Sequence, residues 1–331
     1  MPASFTGTGE DLAYLPASLQ LELFHSRQLS PVDVLEAQIA QYEQHNDQVN
    51  AVTYTHFDKA RAEARESEQR WRRGDPRPLE GITCALKDEH HEKGMTVTSG
   101  SVLFADQVMD YTDEVTAKLK DAGVVIHLQT TVPEFYVIGM THSRLCGVTR
   151  NPWNLAYTVG GSSGGTGAAL ASGMTTVGTG SDMGGSVRLP SAYCGLYGFK
   201  PPYGRISTEI PLAQYSGSGP LARTFTDMTL LLNAMSGPTP HAPMTLPKLT
   251  MPLTYDGLEG VRIAYSADLG LLPVSAETRR ITAGAVQRLR DRGATVEEVD
   301  LELGTSMDEL VAMFFRAFWA GSMGGSMQGL A

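Results

Sequence analysis

The chain has 331 residues, 42% of them hydrophobic and 19% charged, with a formal net charge of -10. That composition describes an ordinary globular protein with a substantial core, as one large domain or two unequal ones. The acidity argues against a nucleic-acid partner, which would need a basic face. Three cysteines, Cys84, Cys146 and Cys194, stand far apart without paired-ligand spacing, so neither a disulfide framework nor a zinc site is expected.

Met1 to Tyr14 carries Glu10 and Asp11 and has no cationic apolar leader, so no secretory signal is expected. Ser30-Pro31-Val32-Asp33 joins an N-cap, a first-turn proline and an acidic third position, which predicts a helix start. Val32, Leu35, Ile39 and Tyr42 then share one helical face. A second, heavily charged helix is predicted over Asp58 to Arg73, ended by Gly74-Asp75-Pro76. Gly81 to Leu86 reads as a buried strand that delivers Lys87 at its end. Thr112 is expected to cap a helix over Asp113 to Ala122, stopped by Gly123, and Val124-Val125-Ile126 is the next strand.

Gly164 to Ser172 is a helix of small residues and Thr175 to Gly180 is strand-like, so strands and helices alternate. That alternation predicts an α/β fold with a largely parallel or mixed sheet. Pro238 to Pro252 holds five prolines and reads as a surface crossing or subdomain linker. Strand, helix and strand resume over Gly260–Tyr265, Ala276–Arg292 and Ala294–Glu298. Met307 to Trp319 has helical apolar spacing, whereas Ala320 to Ser326 offers almost nothing to pack and is expected to be poorly ordered. The apolar run from Leu310 to Gly321 is broken by Arg316, so no membrane span is expected and a cytoplasmic location is the default.

The chemistry concentrates in two glycine-lined serine loops. One is Gly160-Gly161-Ser162-Ser163-Gly164-Gly165; the other is Gly180-Ser181-Asp182-Met183-Gly184-Gly185-Ser186-Val187-Arg188-Leu189-Pro190. The first lacks the Gly-Lys-Ser/Thr ending of a phosphate-binding P-loop, and neither run has dinucleotide-binding spacing. Gly161 to Gly165 formally fits a nucleophile elbow centred on Ser163, which needs a later histidine. Only His241 follows, within a proline-rich stretch, and that reading leaves Ser186 unused. The remaining reading uses two serines and Lys87. A hydroxyl becomes a nucleophile once a base takes its proton, and a buried lysine serves when its surroundings favour the neutral amine. A simple ion pair of Lys87 with Asp88 or Glu89 stays open beside it. The adjacent His90 and His91 read as loop residues and not as metal ligands.

The chain resembles the amidase signature family, which includes fatty acid amide hydrolases, peptide amidases, malonamidases and the A subunit of glutamyl-tRNA amidotransferase. The matching text is Ala85-Leu86-Lys87-Asp88, Val132-Pro133-Glu134-Phe135 and Gly147-Val148-Thr149-Arg150-Asn151-Pro152-Trp153-Asn154. It continues through both serine loops, Cys194 to Pro201 and Gly219 to Thr224, dense from Gly81 to Asp227 and weaker outside. The resemblance implies an α/β amidase-signature fold, with a central twisted mixed sheet flanked by helices. A helical region (1–80), a catalytic core (81–236) and a C-terminal part (237–331) would form one domain. It implies a Ser–cis-Ser–Lys triad: Ser186 as nucleophile, Ser162 after a cis bond from Gly161 as bridge, and Lys87 as base. Met183, Gly184, Gly185 and Ser186 would offer oxyanion N–H groups, and Tyr136 would line the acyl pocket. Asp182, Arg188 and Ser163 would support the loop. The implied substrate is a small-molecule amide, cleaved through an acyl-enzyme with no metal or cofactor, and a homodimer is allowed.

Departures from the family pattern are local. Thr83 stands where proline is frequent, Leu128-Gln129-Thr130-Thr131 where Gly-Lys-Thr-Asn is usual, and Pro202 where threonine is common. Family members usually continue well beyond this length, so a truncated or variant member with one open sheet or pocket edge is expected. Two other classes stay in view. One is the amidotransferase A subunit, against which Leu189 stands where that protein carries glutamine; the other is an inactive binding scaffold.

Overall fold

The computed structural model describes residues 9–207, 215–242 and 244–318. The chain divides into two compact units, Met1–Leu253 and Thr254–Ala331. After a single helical turn at Gly9–Ala13, the first continues with helices α1 (Ala17–His25), α2 (Pro31–Val49) and α3 (Phe57–Arg73). α2 begins with a reciprocal cap: the Ser30 hydroxyl accepts from the Val32 N–H at 3.2 Å, and Asp33 accepts from the Ser30 N–H at 3.1 Å. The charged α3 buries only Ala60, Ala64 and Ser67, and its outer side is laced with ion pairs such as Arg61–Glu36.

Among the described residues the first unit holds one six-stranded sheet. Its strands are β1 (Val52–Thr55), β2 (Thr83–Lys87), β3 (Val125–Thr130), β4 (Val177–Ser181), β5 (Tyr197–Gly198) and β6 (Ser218–Ala222). Their spatial order is β1-β3-β2-β4-β6-β5. β2 runs parallel to both β3 and β4, whereas β1 and β6 pair antiparallel with β3 and β4 and β5 with β6, so the sheet is mixed. β2, β3, β4 and β6 are buried at every position, so both faces of the middle of the sheet are covered.

Alternation along β2 sorts its side chains. Cys84 and Leu86 join the core with Leu119, Ile126, Val177 and Leu231. Ala85 faces the other way, onto Ala168 and Ala169 of helix α5 (Gly164–Ala171). Lys87 has the parity of Ala85, so the period of two puts it on the α5 side. Thr83 is held by its hydroxyl, which donates to Gln38 at 2.6 Å and lies 2.8 Å from that of Thr176.

Helix α4 (Glu114–Asp121) corrects one expectation. Its cap is Asp113, whose carboxylate accepts from the N–H groups of Val115 and Thr116 at 2.9 and 3.0 Å. Thr112 instead accepts from the Lys93 N–H, and the charged carboxylate one place on takes the cap. α6 (Arg188–Cys194) follows the second serine loop, and α7 (Phe225–Met235) follows β6. The proline-rich crossing is tied down where Asn233 bonds both the carbonyl and the N–H of Met251, at 2.9 and 2.8 Å.

The second unit contains a parallel pair, β7 (Arg262–Tyr265) and β8 (Thr295–Glu298), connected through α8 (Ala276–Asp291). Ser275 caps α8 by accepting from the Thr278 N–H at 3.1 Å, and α9 (Met307–Phe318) follows β8. Trp319 and Ala320 to Ser326, on which sequence expectations fell, lie outside the described residues. No helix among the described residues is long and apolar enough to cross a membrane.

Candidate active site

Lys87 ends β2 fully buried, and its backbone N–H donates to Thr179 Oγ1 on β4 at 3.0 Å. A buried ammonium or amine must place its hydrogens on acceptors. Lys87 Nζ reaches Ser162 Oγ at 2.9 Å, Ser181 Oγ at 2.7 Å and Glu89 Oε2 at 3.0 Å. The Tyr136 ring centroid lies 4.8 Å from the same nitrogen. The peptide bond between Gly161 and Ser162 is cis.

Ser162 and Ser163 are buried in a loop that leads into α5. The Ser163 N–H donates to the Ser186 carbonyl at 3.2 Å, which holds the two serine loops against each other. Of Lys87, Ser162 and Ser186, Ser186 alone is half-buried instead of buried. The constellation is therefore a buried amine, a buried hydroxyl beside it and a more accessible hydroxyl on the adjoining loop. Within it the hydrogen bond from the amine to Ser162 is a side-chain one, whereas Ser186 is tied to the inner loop through its main chain. Tight packing fixes the inner loop: a Cβ on Gly165 would lie 2.4 Å from the Thr131 nitrogen.

The outer loop is held by Asp182, which is fully buried. Its carboxylate accepts from the N–H groups of Gly185, Val187 and Arg188 at 2.7, 3.1 and 3.2 Å. The Arg188 guanidinium adds a two-point contact at 2.8 and 3.0 Å. Burial pushes the Asp182 carboxyl up, but Arg188 and the three N–H bonds outweigh it and hold it below the ordinary value. Lys200 donates to the carbonyls of Met183 and Tyr215 at 2.9 and 2.8 Å. Gly185 needs correcting as an oxyanion donor, because its N–H is committed to Asp182. No partner is found for the N–H groups of Met183, Gly184 and Ser186 among the described residues. The Ser163 hydroxyl lies 3.5 Å from the Ser181 carbonyl, in the loop network.

Tyr136 sits closer to the amine than a pocket wall would require. Its hydroxyl donates to the Asp88 carbonyl at 2.9 Å and meets Ser99 Oγ at 2.8 Å. Ser99, Phe135 and Tyr136 adopt left-handed backbone angles, with φ of 49°, 53° and 63°. The Phe135 N–H donates to the Ser99 carbonyl at 2.8 Å, so these three non-glycine residues hold one another in that conformation. Asp88 faces away from the amine and accepts from the Thr98 N–H at 3.0 Å. Burial pushes its carboxyl up to about 6, against the hydrogen bonds from Thr98.

Sequence reasoning offered Glu89 as an ion-pair partner of the amine but missed Ser181, which joins the two. Ser181 has a signal in retrospect: Thr179 and Ser181 are two apart in a strand and share a face, and both meet Lys87. The meeting of Glu89 with Ser181 has none, since the turn after β2 brings the carboxylate to that hydroxyl, 2.5 Å away. The ion pair of Lys87 with Glu89 and the contact with Ser162 exist together, so the two sequence readings are not alternatives. A 640 Å³ groove lined by Leu79, Lys118, Leu230 and Lys248 includes none of these residues, so cavity size alone does not locate the chemistry.

The family model described as Amidase matches residues 33–324. The chain is 38% identical over 278 residues to the A subunit of the glutamyl-tRNA(Gln) amidotransferase of Salinibacter ruber, covering 81% of this chain and 54% of that protein. It therefore spans about half the length of that relative. A bacterial aryl acylamidase of the amidase signature family superposes with a TM-score of 0.91 at 31% identity, covering 97% of this chain and 68% of that one. A fatty acid amide hydrolase superposes with a TM-score of 0.82 at 27% identity, covering 89% and 54% of the two chains.

Proposed function

This chain belongs to the amidase family, and on that premise we propose that it hydrolyses a carboxylic amide through an acyl-enzyme on Ser186. One observation carries the reading: buried Lys87 Nζ lies 2.9 Å from Ser162 Oγ, and the next residue's N–H holds the main chain of Ser186. Ser186 Oγ attacks the amide carbon as its proton passes to Ser162, whose own proton passes to the Lys87 amine. The developing oxyanion meets the uncommitted N–H groups of Met183, Gly184 and Ser186. The C–N bond then breaks, and the proton returns along the same path to the departing nitrogen. Protonation matters because an amide anion is a very poor leaving group. Water, deprotonated by the same relay, attacks the ester carbonyl, releases the acid and restores Ser186.

Asp182 and Arg188 hold the loop in this reading, without touching the reacting atoms. The test is a panel of simple anilides, alkyl amides and peptide amides with chelator present, scored by amine or ammonia release. Release from at least one class that Ser186→Ala abolishes is expected; well-folded protein with no release from any class overturns the reading.

A second reading has a specific observation behind it, the 38% identity to an amidotransferase A subunit. There the amide would be glutamine and the ammonia would pass to a partner. Glutaminase activity that appears only with added partner subunits distinguishes it. Leu189 beside Arg188 favours the stand-alone amidase.

A further inference from the structure

We propose that Glu89 is a positioning residue for the Lys87 amine, acting with Ser181 to keep the amine's free electron pair aimed at Ser162. The inference rests on the triad reading above and adds to it a carboxylate that none of the family motifs quoted above includes.

Hydrogen accounting carries it. Lys87 Nζ has three oxygen neighbours: Ser162 Oγ at 2.9 Å, Ser181 Oγ at 2.7 Å and Glu89 Oε2 at 3.0 Å. Ser181 Oγ is itself 2.5 Å from Glu89 Oε2. An ionised carboxylate only accepts, so the single Ser181 hydrogen points to Glu89. Ser181 must then accept from the amine, and Glu89 accepts a second amine hydrogen. A neutral amine has only two hydrogens, so its lone pair is left facing Ser162. That is the geometry a base needs to take the Ser162 proton. Without the carboxylate, Ser181 can turn and donate its hydrogen into the same lone pair, competing with Ser162.

The surroundings keep Glu89 charged. Burial works to raise its carboxyl, but Lys87, His90 and the bonds from Ser181 and Lys87 outweigh it and hold it below the usual value. His90 is in turn faced by Asp113 at 3.4 Å. Asp88 and Tyr136 are the other titratable groups near it, and both feel its charge. The carboxylate also favours the protonated amine, so its removal moves the acid limb of a pH–rate profile to lower pH.

The experiment follows inactivation of the full chain by a fluorophosphonate across pH. Glu89→Gln is expected to slow the plateau rate by roughly 10-fold and to move the acid limb down by about 1 pH unit. Adding Ser181→Ala to Glu89→Gln removes the competing hydroxyl and is expected to restore about 3-fold or more of that loss. A merely structural role predicts the opposite, a further loss. His90→Gln in both backgrounds identifies a limb that belongs to His90. If Glu89→Gln does not fold, Glu89→Asp withdraws the carboxylate by one methylene, and a smaller limb shift in the same direction is expected. Superimposable profiles, or a uniform loss with no limb shift and no recovery, overturn the role of Glu89. Wild type that is not labelled, or Lys87→Ala labelled as fast as wild type, overturns the triad reading and this proposal with it.

Discussion

The two serine loops look alike as text, each a pair of glycines beside a serine, yet they are held by different physics. Residues 160–165 are buried throughout, and Cβ atoms on Gly164 and Gly165 would lie 2.1 and 2.4 Å from Thr141 and Thr131. Packing fixes that loop. In the other, Gly184 is exposed and Met183 and Ser186 are half-buried, while one buried carboxylate gathers three N–H groups and a guanidinium. Charge-assisted hydrogen bonds fix that loop and leave its serine reachable. The inner loop suits a hydroxyl that only hands on a proton, and the outer one suits a hydroxyl that meets a substrate.

The largest effect should come from the outer serine. Ser186→Ala is expected to lower amide hydrolysis by roughly 10³-fold or more, with an unchanged melting temperature. Ser162→Ala should cost less if the amine can still reach the nucleophile through water; equal losses would give the two hydroxyls equal standing. Next comes the brace: Asp182→Asn weakens the hold on three N–H groups and on Arg188, and a misplaced Ser186 should cost about 10²-fold in kcat. Gly165→Ala tests the inner loop from the stability side. Its methyl meets backbone, so a loss of roughly 1–3 kcal/mol is expected in urea titrations, with residual activity per folded molecule near wild type.

The smallest predicted effect concerns Asp88, a neighbour of the amine that takes no step in the reaction. Its carboxyl titrates at about 6 when folded, against about 4 in an unfolded chain. The folded state therefore binds this proton more tightly, so the group's contribution to stability weakens as pH rises from about 4 to 6. Asp88→Asn should flatten that part of the stability–pH curve by about 1 kcal/mol per pH unit. An unchanged slope would show that another group sets it.

Much of this was legible from the sequence, and the exceptions have physical causes. The helix start at Ser30-Pro31-Val32-Asp33 is a local matter of caps, and it formed as read. The apolar run before Lys87 announced a buried strand because both its faces are covered. The mixed sheet followed from the alternation of elements and from family resemblance, and the structure has it. The cap at Asp113 was misread by one residue, since threonine and aspartate compete for the same N–H groups and only geometry decides between them. Glu89 beside the amine was one of the readings that the sequence left open, but Ser181 and its bond to Glu89 were not legible. They meet only because β2 and β4 run parallel side by side, a pairing between residues more than 90 apart. The commitment of the Gly185 N–H to Asp182 was equally hidden, because a glycine-rich string does not say which of its donors the loop itself uses.

The most direct test is to treat the full chain with a fluorophosphonate and map the modified peptide by mass spectrometry. The account predicts a single adduct on Ser186, formed rapidly by wild type and at least roughly 10³-fold more slowly by Lys87→Ala. An adduct on Ser162 or Ser163, or one on Ser186 that forms equally fast without the lysine, would contradict it.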